Sequence, residues 1–160
     1  IIELKRKLDT THKNGKMLVV DLLYITPRGT LYWYSWKGRV DQSGGLATNI
    51  GVHLFDLLLW LFGDVASFEI TEHDDKKNAG TLTLARAKVT WFLSIDRADL
   101  ESGKERNRLI SIDGESIDFT KGFEELHTRV YEETLAGRGF GIDDALPAIR
   151  LTEQIRERIH

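Results

Sequence analysis

Between positions 87 and 96, Ala87, Val89, Trp91, Leu93 and Ile95 alternate with Lys88, Thr90, Phe92, Ser94 and Asp96. This period of two predicts a strand with one face against a core. Residues 17–25 are rich in Leu, Val and Tyr, and Thr26-Pro27-Arg28-Gly29 then supplies a turn with proline second and glycine fourth. Residues 31–36 read as a second strand, closing a hairpin whose rings Tyr32, Trp33, Tyr34 and Trp36 fall on both faces of a sheet. Short strands are expected at 68–72 and 81–84 around the polar tip Asp74-Asp75-Lys76-Lys77-Asn78. Two more, at 109–112 and 116–119, flank Asp113-Gly114, a pair suited to a hairpin turn with positive φ. The polar stretch 37–45 and the charged stretch 97–108 read as loops.

Elsewhere the period lengthens to that of a helix. Ile1, Leu4 and Leu8 mark a first helix, ended at Asn14-Gly15. Residues 47–62, closed by Gly63, are so densely apolar that burial over most of the circumference is expected. Phe123, Leu126, Val130 and Thr134 mark a helix stopped by Gly137. Ala145, Ala148, Ile149, Thr152, Ile155 and Ile159 mark another, with Asp143 or Asp144 as its cap. Strands in the middle with helices before, between and after them predict an α+β domain: a large, mostly antiparallel open sheet with helices on one face. The hairpin's rings suggest that a second copy covers the other face, giving a dimer or tetramer through the sheet.

Composition narrows the class. With 160 residues, 41% hydrophobic and 29% charged, the chain has enough apolar surface for a single folded domain. The absence of cysteine excludes disulfides, thiolate metal sites and a cysteine nucleophile. A net charge of -3 is not that of a general nucleic-acid binder. The longest uninterrupted apolar run, 57–62, is too short to span a bilayer, so a soluble cytoplasmic protein without a membrane partner is expected. Ile1 opens in what reads as mid-helix and the only methionine is Met17, which suggests a portion of a longer protein, with 1–15 as a linking helix.

Stock motifs are few. Gly137-Arg138-Gly139-Phe140-Gly141 follows a helix instead of a strand, so it reads as a helix stop and not a dinucleotide loop. Histidines 12, 53, 73, 127 and 160 lack metal-ligand spacing, and no metal is expected. His127 and Tyr131 share a helix face and read as packing residues. One segment stands apart. Gly44-Gly45 feeds a helix whose Asn49, His53 and Asp56 fall at i, i+4 and i+7, a polar stripe in an apolar setting. Either this is a buried histidine satisfied by its neighbours, or His53 is a general base near a helix start, with Asp56 one turn on to hold its tautomer.

The string GGLATNIGVHLFDLLLWLFG resembles the signature helix of the C-terminal domain of the Gfo/Idh/MocA family of nicotinamide-dependent sugar oxidoreductases. YITPRGTLYWYSWKG, ATNIGVH, AKVTWFLSID and LHTRVYEETLAGRGFGIDDA are similar to the subgroup that oxidises the C3 hydroxyl of UDP-linked N-acetylglucosaminuronate for surface polysaccharides, lipopolysaccharide among them. The resemblance implies that His53 is the active-site histidine, with Asn49 where many members have aspartate and Asp56 at the acidic position that follows. It implies NAD as cofactor, bound mainly by an N-terminal Rossmann domain that also carries a catalytic lysine; neither is in this chain, which should be inactive alone. Residues 1–160 would then be a single C-terminal substrate-binding and oligomerisation domain. With a UDP-sugar as substrate, Lys37 or Arg39 would meet its anionic groups, and Thr48 would bond the sugar or cap the helix. A family member acting on a free sugar or cyclitol, or a non-catalytic assembly module, remains the alternative.

Overall fold

In the computed structural model the described residues are 2–11, 15–118, 126–137, 139 and 141–159. The elements are α1 (Ile2–Thr11), β1 (Leu18–Ile25), α2 (Thr30–Tyr34), α3 (Val40–Ser43), α4 (Val52–Phe62), β2 (Val65–His73), β3 (Lys77–Leu84), β4 (Ala87–Ser94), β5 (Asn107–Ile112), β6 (Glu115–Asp118), α5 (Leu126–Leu135) and α6 (Ile142–Ile159). The strands form one six-stranded sheet in the order β2-β3-β4-β1-β5-β6. Every neighbouring pair is antiparallel except β1 and β4, which run parallel from Leu18 opposite Ala87 to Ile25 opposite Ser94.

The alternation along β4 works as expected. Val89, Trp91 and Leu93 are buried with Val20 and Leu22 of β1, Leu82 and Leu84 of β3, and Ile110 of β5. Against this face pack Leu8 of α1, Phe55, Leu58, Leu61 and Phe62 of α4, and Leu151 and Ile155 of α6. Helices therefore cover one face. On the other, Val19, Asp21, Thr81, Lys88 and Thr90 are exposed, and Thr81, Thr90, Asp21 and Ser111 make a polar row across four strands.

The hairpin expected at 17–36 does not form. Both edges of β1 are occupied, by β4 and by β5, so residues 31–36 have no strand to pair with. They coil instead into α2 and a 3-10 turn at Trp36–Gly38. A Cβ on Gly38 would lie 2.7 Å from the Tyr32 carbonyl oxygen, so the strap folds back on itself only because that side chain is absent. Leu31, Trp33, Tyr34 and Trp36 are exposed on this strap and not on the sheet, which removes the ring-based argument for a covered sheet face.

The stretch expected as a 37–45 loop holds two helical turns, Trp36–Gly38 and α3. Lys77 and Asn78 belong to β3 and not to the hairpin tip, and Asn78 is buried with no partner for its side-chain nitrogen or oxygen. The apolar run is longer than the 57–62 stretch alone. Val40–Phe62 is long and apolar enough to cross a membrane by length and composition, but it is interrupted at Gly44 and Gly45, both at positive φ, and α4 within it supplies the core residues.

The β5–β6 turn matches its sequence signal, with φ of 48° at Asp113 and 86° at Gly114; Phe119, assigned to the second strand, lies outside the described residues. Gly63 closes α4 at φ 87° and Gly137 follows α5 at φ 73°. Asp143 and Asp144 lie inside the first turn of α6 and not at its cap: the Gly141 N–H donates to Asp144 Oδ2 at 2.7 Å, closing half of a capping box. His12, Asn14, Phe123, Arg138, Phe140, His160 and the His127 side chain lie outside the described residues.

Candidate active site

The Gly44-Gly45 break starts a new helix, which passes through a widened π turn at Ala47–Gly51 before tightening into α4. Such turns recur at functional sites. Phe55, in edge-to-face contact with Trp91 at 5.2 Å, seats α4 on the sheet. Leu46, Ile50 and Ile95 form a second small core against which Tyr24, Tyr32 and Leu54 pack. The start of the helix is thereby fixed over the carboxyl ends of the parallel pair β1 and β4, the side of an open sheet where ligands commonly bind.

The polar stripe faces outward. Asn49 is half-buried, and its Nδ2 donates to the Tyr32 hydroxyl at 3.3 Å. His53 and Asp56 are exposed, so the reading of His53 as a buried, satisfied core histidine does not hold. Although Asp56 is exposed as a residue, partial burial of its carboxyl on the helix surface pushes it above its ordinary range; His53 opposes this and the nearby Asp144 charge adds to it. A carboxyl shifted upward binds its proton more tightly in the folded chain. Its stabilising contribution is therefore fullest at low pH and is lost as pH rises through the raised value.

The other expected binding residues are less well placed. Arg39 is exposed and paired with Asp41 at 3.4 Å, and Lys37 lies 5.8 Å from the Trp36 ring, out on the strap. Thr48 packs over Gly44, where a Cβ would come within 2.8 Å of its Oγ1, and it makes no cap bond. Sequence reasoning missed Tyr32, read there as a strand residue, and Asp144, read as a cap. Among the described residues no group of three His, Asp or Glu side chains converges as a metal site.

A family model described as the oxidoreductase family, C-terminal alpha/beta domain, matches residues 10–92. The chain belongs to the Gfo/Idh/MocA oxidoreductase family. The WlbA (WbpB) dehydrogenase from Thermus thermophilus, solved with NAD and alpha-ketoglutarate, is 45% identical with a TM-score of 0.88, over 96% of this chain and 52% of that one. The same Thermus enzyme with NAD and UDP-GlcNAcA gives a TM-score of 0.89 at 45% identity, over 97% of this chain and 50% of that one. The WlbA dehydrogenase from Bordetella pertussis, with NADH and UDP-GlcNAcA, shares the fold at a TM-score of 0.67 and 19% identity, over 94% of this chain and 54% of that one. This chain thus spans about half the length of these family relatives.

Proposed function

We propose that the chain is the substrate-binding part of an NAD-dependent dehydrogenase that oxidises the C3 hydroxyl of UDP-N-acetylglucosaminuronate. The observation that carries this reading is the exposed His53, one turn beyond an Asn49 anchored to Tyr32, at the carboxyl ends of the parallel strands. The similarity to a Thermus enzyme solved with NAD and UDP-GlcNAcA supports the choice of substrate and cofactor.

The described residues do not fit a dinucleotide cradle, since the glycine turn at Gly137 follows helix α5 and not a strand. NAD is therefore assigned to a part of the parent protein outside these residues, and the chain alone is expected to be inactive. When bound, NAD supplies the acceptor for the hydride. This chain supplies the proton chemistry: the His53 imidazole accepts the proton leaving the C3 hydroxyl. The Asn49 amide, held by Tyr32, orients the sugar beside it, and the Asp56 carboxylate favours the imidazolium that results. Residues 1–160 act as a single domain, with 1–15 linking it to the cofactor half. A dimer or tetramer forms through the sheet face that the helices leave uncovered, and the enzyme works in the cytoplasm on precursors of surface polysaccharide, lipopolysaccharide included.

Steady-state turnover by the parent protein tests the substrate. With NAD present, UDP-GlcNAcA is expected to give a kcat/KM at least about 100-fold above free glucose or myo-inositol, because a site built for a charged, hydrogen-bonding substrate rejects one that leaves its polar groups unpaired. Equal or better turnover of the free sugar or cyclitol would reassign the substrate, and no turnover of any of them would favour an assembly role.

A further inference from the structure

The cations near the site differ in how they are held. Arg39, Lys76 and Lys77 each have a carboxylate within 4 Å. Arg28 and Arg108 have none among the described residues. Arg108, half-buried at the start of β5, lies 4.8 Å from the centre of the Tyr24 ring and donates from Nε to Thr26 Oγ1 at 3.2 Å. Arg28, two residues beyond Thr26, lies 5.9 Å from the centre of the Tyr32 ring, and its backbone N–H is tied to the Ile95 carbonyl at 3.3 Å.

Tyr24 and Tyr32 pack against the same small core as Leu54, the residue after His53, and Tyr32 also holds Asn49. Thr26 continues directly from the carboxyl end of β1, its N–H bonded to the Ser94 carbonyl at the end of β4. Aromatic faces and a hydroxyl steady a guanidinium without neutralising it, so both forks keep their charge for a ligand. A planar fork pairs with a carboxylate or phosphate through two parallel hydrogen bonds.

We infer that Arg28 and Arg108 form an oxyanion subsite that takes the negatively charged part of the sugar-nucleotide substrate beside Asn49 and His53. The inference rests on the proposed function and deepens it: it moves anion recognition from Lys37 and Arg39 to the end of β1. Either the sugar carboxylate or the diphosphate could be the group held, since both offer the same paired oxygens.

The test is steady-state kinetics of the parent enzyme with Arg28→Gln, Arg108→Gln and Arg108→Lys. Each glutamine variant is expected to raise KM for UDP-GlcNAcA about 10- to 100-fold, as loss of a charged hydrogen bond does, with kcat within about threefold. The lysine variant restores part of the affinity. The rise of KM with salt, expected of a charged contact, weakens in both glutamine variants. A purely structural role would leave neither a split between KM and kcat nor a change in salt dependence. UDP as a competitive inhibitor separates the two sources: inhibition weakened in parallel with KM assigns the diphosphate, and unchanged inhibition assigns the carboxylate. Arg28 is exposed, so its variant reports even if the Arg108 variants fold poorly. Wild-type turnover with KM within twofold in both glutamine variants overturns the subsite alone, whereas a wild-type enzyme that does not oxidise UDP-GlcNAcA overturns the proposed function and the subsite with it.

Discussion

Replacing His53 with alanine in the parent protein is expected to lower kcat by about 100- to 10,000-fold, the usual range for loss of a positioned general base, while KM stays within about threefold. The reason lies in where the side chain sits. It is exposed on α4 and packs into no core, so the variant should keep its melting temperature and lose only the proton acceptor. Asn49, anchored by its bond to Tyr32, remains to bind the sugar. Unchanged turnover would remove His53 from the mechanism.

The largest effect on stability is expected at Phe55. Its side chain is fully buried, meets Trp91 edge to face at 5.2 Å, and leaves so little room that a Cβ on Gly51 would come within 2.8 Å of its ring. Phe55→Ala removes the contact that seats the site helix on the sheet, and its cost should be about 3–5 kcal/mol. In a domain of this size that lowers Tm by roughly 10 °C or more, measurable by thermal or chemical denaturation. Because the same helix carries His53, the variant should also lose turnover even where it remains folded. A change in stability below about 1 kcal/mol would mean that the helix is seated by something other than this pair.

Much of the fold was legible where local pattern and tertiary role agree. β4 alternates because one face is buried; the Asp113-Gly114 turn needs two positive φ angles and has the residues that adopt them; and the apolar run before Gly63 is the central helix. The failures occurred where partners decide. Residues 31–36 have the composition of a strand, yet β1 is saturated on both edges by β4 and β5, strands that lie some 60 to 90 residues further along the chain. No local signal reveals that the neighbour of β1 is a distant parallel strand. The glycine break and the polar stripe did mark the site helix and its histidine. Tyr32 was hidden by the misassigned strand, and Arg108 by its place at the end of a charged stretch read as loop. Only the folded sheet shows that Tyr32 packs on the same small core as Tyr24, the ring beside which Arg108 lies.

The most direct test of the central claim follows one atom. The parent protein, given NAD and UDP-GlcNAcA deuterated at C3 of the sugar, should transfer that deuterium to the nicotinamide, visible by mass spectrometry or NMR of the reduced cofactor. Deuterium in the nicotinamide, with the transfer lost in the His53→Ala variant, is the predicted result. Reduced cofactor without deuterium, or transfer undiminished when His53 is gone, would contradict the account.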